Sequence, residues 1–174
     1  MISLSTILPE HKKTLFDWRN DHGIYKWCRQ SDFIQWGDHC NWFDNVFKNT
    51  SIKMYLIVND NIPVGACGLT SIDLVSQRAE FSLYIGRDFQ KRGYGKKALI
   101  KLLDHGFKHY PFRLIWGESF ESNPAIRMFK ELGFKIDGTR KEFYFKDGKN
   151  IDSYLLSIKR NDFYDLNITD CYNL

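Results

Sequence analysis

The sequence lacks the features that mark membrane, secreted and zinc-binding proteins. No stretch approaches the roughly 18 uninterrupted apolar residues that a membrane-spanning helix needs, so we expect no membrane partner. The first residues have neither the basic start nor the apolar run of a secretory signal, and we therefore expect a cytoplasmic protein. The four cysteines, Cys28, Cys40, Cys67 and Cys171, have no CxxC spacing and no paired histidines. This pattern argues against a metal site.

An excess of one charge, internal repeats and proline-rich linkers are also missing. Lys and Arg number 25 against 21 Asp and Glu, which gives a net charge of +4 that is spread along the chain. A nucleic-acid-binding domain usually has a strongly basic face, so we expect no nucleic-acid partner, whereas a local site for an anionic ligand stays open. The length of 174 residues suits one domain.

Apolar patterning predicts one α+β domain over residues 1–160 and a C-terminal tail, 161–174, with little pattern. Alternating apolar residues predict strands, and apolar residues at helical spacing predict helices. The predicted strands are 2–8, 53–58, 62–72, 78–86, 112–118, 134–145 and 151–159, and the predicted helices are 9–22, 38–48, 93–109 and 123–132. Short turns join the three strands between 53 and 86, which predicts that they are antiparallel. The expected fold is therefore a mixed, mostly antiparallel sheet flanked by helices.

One segment between a strand and a helix, Gln90 to Ala98, combines two glycines with several cations. Gly93 and Gly95 let the backbone turn tightly and approach a ligand closely, and the new helix offers unpaired N–H groups with partial positive charge. Such a site favours a phosphate. Positive charge is added around it by Arg92, Lys96 and Lys97. The alternative is a glycine turn before an ordinary helix with solvated lysines.

The same segment has the GxGxxA spacing of the dinucleotide-binding fingerprint, with Glu118 about 20 residues beyond it. That fingerprint belongs in the first turn of a parallel βαβ unit. The strands before Gly93 are predicted to be antiparallel, and the chain has no room for a second mononucleotide-binding half. We therefore reject this interpretation.

Two runs of residues resemble, in the same order, the motifs of the GNAT N-acetyltransferase superfamily. Gln90-x-x-Gly93-x-Gly95, after the strand Glu80 to Ile85, is similar to the acetyl-coenzyme A motif, and Asn123 to Phe134 is similar to the second motif. With the order of strands and helices, the resemblance covers residues 1–160. It implies an N-acetyltransferase that uses acetyl-CoA as cosubstrate, needs no metal and acts on a small-molecule primary amine. It also implies a homodimer, which is common among relatives.

The resemblance assigns coenzyme contacts to individual residues. The central strand is expected to splay from its neighbour, so that the backbone of Leu83, Tyr84 and Ile85 pairs with the pantetheine arm. Backbone N–H groups of the following loop would wrap the pyrophosphate. The loop residues are Gln90, Lys91, Arg92, Gly93, Tyr94, Gly95 and Lys96. Asn123 would contact the pantetheine or shape the cleft, and Phe129 would lie near the sulfur.

Two carboxylates compete for the role of general base, which a protonated amine needs at neutral pH. Glu118 falls where related N-terminal acetyltransferases carry a glutamate, and Glu80 lies on the splayed strand, where other branches place theirs. The alternative for both is a surface or salt-bridged carboxylate. Many family members have tyrosine in place of Phe129 to protonate the leaving thiolate, and phenylalanine cannot do so. Tyr144, Tyr84 or water would then supply the proton, or no acid is needed.

The first third of the chain is expected to shape the acceptor site, although its aromatic residues are also candidates for the core. It resembles a branch that acetylates nucleotide-linked amino sugars, which predicts substrate contacts for Arg19, Trp27, Arg29 and His39. Other readings stay open: acetylation of a protein N-terminus, as in the ribosomal-protein acetyltransferases, or of a polyamine or aminoglycoside. A catalytically silent acetyl-CoA-binding module is an alternative of a different class.

Overall fold

The computed structural model describes residues 1–30 and 32–166. In this part of the chain seven strands form one sheet, in the spatial order β1-β2-β3-β4-β5-β7-β6. The strands are β1 (Ile2–Thr6), β2 (Lys53–Asn59), β3 (Ile62–Asp73), β4 (Arg78–Ile85), β5 (Leu114–Phe120), β6 (Lys135–Lys146) and β7 (Lys149–Lys159). Neighbouring strands are antiparallel except β4 and β5, which are parallel. The prediction of a mixed, mostly antiparallel sheet is therefore confirmed.

Helices cover both faces of the sheet. They are α1 (Lys12–Asn20), α2 (His22–Tyr25), α3 (Trp36–Val46), α4 (Tyr94–His109), α5 (Ala125–Glu131) and α6 (Arg160–Asp165). The larger core lies under α4, α5 and α6, and the smaller core lies under α1, α2 and α3. Leu83 of β4 packs against the larger core and the next residue, Tyr84, belongs to the smaller one, as the alternation of side chains along a strand requires. None of the helices in the described residues has the length and apolarity to cross a membrane.

Left-handed glycines mark the ends of elements that the sequence predicts well. Gly93 has φ of 76° and directly precedes α4, whose 16 residues bury one apolar face, as predicted. Gly133, with φ of 86°, follows α5. Asp147 and Gly148, with φ of 51° and 74°, form the turn between β6 and β7.

Three segments differ from the sequence prediction. The first predicted helix is divided into a 3₁₀ turn (Pro9–His11), α1 and α2, and α3 begins at Trp36. In the predicted tail the six residues of α6 form a helix, and Phe163 is 1% exposed in the larger core. A helix of six residues is too short to show a periodic apolar pattern, which is why the sequence did not reveal it. Cys171 and residues 167–174 as a whole lie outside the described residues.

Strands β4 and β5 part after three residue pairs. Residues 78–80 pair with residues 114–116, and no further pair follows toward the end of β4. Just past the last pair, the ring of Phe81 lies over Gly117, where a Cβ would stand only 2.4 Å from a ring carbon. A glycine in a strand interior often marks such a close approach. The backbone of Phe81 to Ile85 is therefore paired with β3 on one side only, which gives the splayed strand that the resemblance implies.

Candidate active site

A cavity of about 860 Å³ opens beside the N-terminus of α4. Its walls come from the splayed end of β4, the loop before α4, the start of α5 and the segment after α2. The residues from the predicted coenzyme set that line it are Leu83, Tyr84, Ile85, Gln90, Lys91, Gly93, Tyr94, Gly95, Lys96 and Asn123. This volume lies in the range of small-molecule sites. Both sequence motifs thus contribute to one cavity.

The loop before α4 has the backbone shape that brings several amides to one place. Lys91 and Gly93 both have positive φ, 61° and 76°. A Cβ built on Gly93 would meet nothing within 4 Å, so the left-handed backbone conformation, rather than crowding, explains the glycine. A Cβ on Gly95 would lie 3.6 Å from Ile85 across the cavity. The first turn of α4 therefore meets the splayed strand with little side chain between them.

Charged side chains around this loop are held by neighbours. Lys96 Nζ lies 3.0 Å from a carboxylate oxygen of Glu131 on α5. The guanidinium of Arg92 donates to the carbonyl of Asp88 at 2.9 Å and does not line the cavity. Gln90 donates its side-chain amide to the carbonyl of Ile85, at 3.0 Å, which ties the loop to the end of β4.

The two residues of the second motif that the resemblance assigned to the coenzyme have different surroundings. Asn123 lines the cavity, but its side chain caps the start of α5, since Oδ1 accepts from the amide of Ala125 and Nδ2 donates to Ser119 Oγ, both at 2.9 Å. Phe129 is 5% exposed and packs against Phe81 at 5.1 Å between ring centroids. Phe129 therefore supports the point where the strands part, and it is not among the residues that line the cavity.

The two candidate bases meet on one arginine. The guanidinium of Arg29 forms an ion pair with Glu80, and its other terminal nitrogen lies 3.4 Å from Glu118. Both carboxylate side chains are buried, with 8% and 2% of their surface exposed, whereas the Arg29 side chain is 41% exposed. Ser71 Oγ donates to the second oxygen of Glu80 at 3.3 Å. Arg29, predicted to contact substrate, is thus also the partner of both predicted bases.

Glu118 has further partners from the hairpin of β6 and β7. Ser153 Oγ donates to it at 2.6 Å, and Arg140 Nε lies 3.7 Å away. The phenol of Tyr144 is close enough to interact with both Glu118 and Arg29. Burial and the carboxylate of Glu118 raise the pKa of Tyr144, so the phenol stays protonated at neutral pH. We call Arg29, Glu80, Glu118, Arg140 and Tyr144 the ionic cluster.

The pKa of the Arg29 guanidinium depends on a balance between burial and the acidic groups around it. Burial lowers the pKa of its guanidinium, but the carboxylates of Glu80 and Glu118 and the phenol of Tyr144 raise it, and the net shift is upward. The two arginines and two carboxylates of the ionic cluster balance in charge. Buried carboxylates need such partners, because an unpaired buried charge is strongly unfavourable.

Of the other predicted acceptor residues, only one lines the cavity. Trp27 lines the cavity. Arg19 donates to Gln30 at 2.7 Å and lies over the ring of Tyr84, outside the cavity lining. His39 is 2% exposed, its Nε2 lies 2.8 Å from the carbonyl of Lys12, and burial lowers its pKa. His39 therefore packs in the helical layer rather than at the cavity.

No sequence pattern indicated Arg140, Ser153 or Lys146 as site residues. Ser153 is fully buried, and Lys146 is 6% exposed. A buried lysine at the end of a strand is unusual, but its burial cannot be inferred from a turn sequence that suits an exposed hairpin. In the described residues, no group of three or more His, Cys, Asp and Glu side chains is placed to hold a metal ion.

Comparisons with known proteins agree with this geometry. Residues 2–135 match the family model of the acetyltransferase (GNAT) domain. The chain is 29% identical to an uncharacterized N-acetyltransferase, p20, of Bacillus licheniformis over 101 aligned residues. The aligned residues make up 58% of this chain and 57% of the relative. It is 27% identical to the spermidine N(1)-acetyltransferase of Escherichia coli K12 over 110 aligned residues, which are 62% of this chain and 58% of that relative. The chain thus spans less than two thirds of the length of these curated relatives.

A solved structure shares the whole fold. Spermidine N-acetyltransferase from Vibrio cholerae, in complex with CoA and spermine, superimposes with a TM-score of 0.89 and covers 94% of this chain and 98% of that one. The sequence identity is 17%, so this likeness concerns the fold alone. These relatives support the family as a whole and not specifically the amino-sugar or ribosomal-protein branch.

Proposed function

The chain belongs to the GNAT acetyltransferase family, and on this premise we propose that it transfers the acetyl group of acetyl-CoA to a primary amine. The observation that carries the proposal is the junction of the splayed strand β4 with the glycine loop before α4 in one cavity. The loop presents helix N-terminal amides, which suit a diphosphate. The strand presents an unpaired backbone edge, which suits an extended amide-containing chain.

The residues of the cavity fit the cosubstrate. Gly93 and Gly95 leave the first turn of α4 open to a phosphate group, and Lys91 and Lys96 line the same wall. Acetyl-CoA supplies an activated acetyl thioester. The unpaired edge of β4 offers backbone N–H groups that can donate to the carbonyl oxygen as negative charge develops on it. The nitrogen of the acceptor forms the new bond to the acetyl carbon, and the thiolate leaves.

The acceptor amine must lose a proton, because an amine with a pKa of about 10.4 is mostly protonated at pH 7. We propose that Glu80 and Glu118 act here as one unit through Arg29, since both contact the same guanidinium. A proton taken up by either carboxylate would redistribute the pairing of Arg29. Of the two tyrosines that could return a proton to the thiolate, Tyr84 lines the cavity with 8% of its surface exposed, whereas Tyr144 adjoins Glu118 and Arg29.

For the acceptor we propose a nucleotide-linked amino sugar of the 4-amino type. Arg29 and Arg140 each have 41% of their side chain exposed, and their remaining N–H groups suit an anionic part of the acceptor. Trp27 adds an aromatic surface in the cavity. The buried carboxylates Glu80 and Glu118 are already paired with arginine, which leaves little negative charge for a polycation at this point.

A polyamine is the second candidate, since two of the relatives are named spermidine acetyltransferases. A separate surface cavity of about 630 Å³ at the hairpin end is lined by four carboxylates, those of Glu121, Glu142, Asp147 and Asp152, and by two lysines, Lys146 and Lys149, which leaves an excess of negative charge. A polycation would find complementary charge there. The homodimer stays a prediction from the family resemblance.

The test is release of CoA from acetyl-CoA in the presence of a panel of amines. The panel comprises a nucleotide-linked 4-amino sugar, spermidine, an aminoglycoside and a peptide with a free N-terminus. We expect turnover to be fastest with the amino sugar; faster turnover with spermidine would support the second candidate. A protein that acetylates no amine yet is thermally stabilised by acetyl-CoA would be a binding module, and the proposed activity would be wrong.

A further inference from the structure

Lys146 is a buried lysine with an unusual set of partners. It is the last residue of β6, beside the hairpin turn, and is 6% exposed. Its ammonium donates to three backbone carbonyls, those of Tyr25 at 2.7 Å, Cys28 at 3.0 Å and Gln30 at 2.7 Å. An ammonium has three N–H donors, so the three carbonyls match its full capacity. Burial lowers the pKa of this ammonium, as expected for a charge removed from water.

All three carbonyls belong to one short piece of chain, which we call segment 25–30. Helix α2 ends at Tyr25, and its last backbone hydrogen bonds run from Trp27 to Ile24 and from Cys28 to Tyr25. Lys146 contacts the segment at both ends and in the middle, across 121 to 116 residues of sequence. The ammonium also lies 4.5 Å from the ring centroid of Tyr25, which adds a cation–π contact.

Segment 25–30 carries side chains of both functional regions. Trp27 and Cys28 line the cavity, and Arg29 joins Glu80 to Glu118. The carbonyls on either side of Arg29, those of Cys28 and Gln30, are the ones that Lys146 holds. The backbone position of Arg29 is therefore set by a residue that does not touch Arg29's own charge partners.

We propose that Lys146 is a positioning residue for the acceptor side of the site, which holds segment 25–30 so that Arg29 reaches both carboxylates. This inference rests on the proposed acetyl transfer for its effect on catalysis, but not for its structural part. Loss of the three donors would leave the segment free to move away from the sheet. Arg29 would then bridge the carboxylates for a smaller fraction of the time, and the acceptor would bind less well.

The structural part is tested by hydrogen exchange on the full-length protein without ligands. The variant is Lys146→Met, which keeps an unbranched side chain about as long as the lysine's aliphatic part and removes its donors. Lys149→Met is the matched control, since Lys149 is exposed and pairs with Lys146 across the same hairpin. We expect amide exchange in residues 26–30 to be at least tenfold faster in Lys146→Met and unchanged in Lys149→Met. Lys146→Gln, with two N–H donors and no charge, is the milder variant. For it we expect amide exchange in residues 26–30 to be at least threefold faster than in the wild-type protein.

The catalytic part is tested by the two Michaelis constants, using the amine that the wild-type protein acetylates best. In Lys146→Gln we expect the KM for the amine to rise about tenfold and the KM for acetyl-CoA to change much less. Unchanged exchange in residues 26–30 of both Lys146 variants would overturn the proposal, and so would an equal rise of both constants. A wild-type protein that acetylates no amine would refute the proposed function instead, while the exchange result would still decide the positioning of segment 25–30.

Discussion

Strands β4 and β5 separate at a point that we call the fork. The part of the molecule on the α4 side of the fork and the part around Arg29 are built from different kinds of interaction. On the α4 side, the end of β4 and the glycine loop that follows it closely in sequence shape the cavity wall, with Gly95 facing Ile85. On the other side, Arg29 meets Glu80 and Glu118, which are 51 and 89 residues away in sequence. The coenzyme side thus depends on local backbone geometry, whereas the acceptor side depends on long-range ion pairs. We therefore expect the ion-paired side to respond as a unit when one of its members is changed.

The largest effect is expected for the carboxylates of the ionic cluster. Glu80→Gln and Glu118→Gln should each lower kcat/KM for the amine about 100-fold, in line with the loss of a proton acceptor. Because both carboxylates share Arg29, the double variant should lose little more than either single variant. Steady-state kinetics of the three variants measure this coupling, with Glu10→Gln, at an exposed position, as control. If the loss of kcat/KM in the double variant equalled the product of the losses in the two single variants, the two carboxylates would act separately.

The packing at the fork should give the next largest effect. In Gly117→Ala the new Cβ would stand 2.4 Å from the ring of Phe81, which must shift against Phe129 and Phe134. We expect a loss of roughly 1–3 kcal/mol in the free energy of unfolding, as for other overpacked cores. Gly37→Ala in the first turn of α3 is the control, since nothing lies within 4 Å of its Cβ and alanine is the better helix former, so no loss of stability is expected. Urea unfolding of both variants measures the difference, and equal stabilities would contradict the crowding at the fork.

A smaller effect is expected from the glycine loop, and here the chain offers a close control. Gly93→Ala and Gly148→Ala place alanine at φ of 76° and 74°, both with open space around the Cβ. Each should cost about 1–2 kcal/mol in stability, because alanine disfavours the left-handed conformation. Only Gly93→Ala should weaken acetyl-CoA binding, by about tenfold, since Gly148 lies in the hairpin turn. Calorimetric titration with acetyl-CoA decides this, and equal affinities in the two variants would count against the loop as a phosphate site.

The smallest effect concerns His39 in the helical layer of the acceptor side. Burial lowers its pKa in the folded protein, so below about pH 6.5 the unfolded chain takes up a proton more readily than the folded one. The stabilisation is complete above that pH and declines as the pH falls toward the lowered pKa. His39→Gln should therefore flatten the fall in unfolding free energy between pH 7.5 and about 5.5. Chemical unfolding at several pH values measures the slope, with His22→Gln, at an exposed position, for comparison.

Elements that depend on neighbouring residues could be predicted from the sequence. The apolar face of α4 and the glycine turn before it agree with the prediction, because each follows from short-range spacing and backbone preference. The division of the first helix and the six-residue helix α6 were not predicted, because short helices show little apolar periodicity.

The candidate site divides in the same way. Ten of the predicted coenzyme residues line one cavity, whereas Phe129 lies in the core and Arg92 donates to the carbonyl of Asp88 outside the lining. The candidate bases were chosen by resemblance, but their pairing with Arg29 was not foreseen. The contact of Lys146 with segment 25–30 had no sequence signal, because a lysine before an Asp-Gly turn is ordinarily exposed.

The amino-acid sequence alone determined the family, the order of the strands and helices, and the loop that faces the cavity. Local backbone preferences and apolar periodicity suffice for the elements and the loop, since both act over a few residues, whereas the family was indicated by the resemblance of two motifs. The tertiary structure decided which charges meet: Arg29 with two buried carboxylates, and Lys146 with three carbonyls. Such contacts depend on the path of the whole chain, and burial makes them obligatory because a charge removed from water must find a partner.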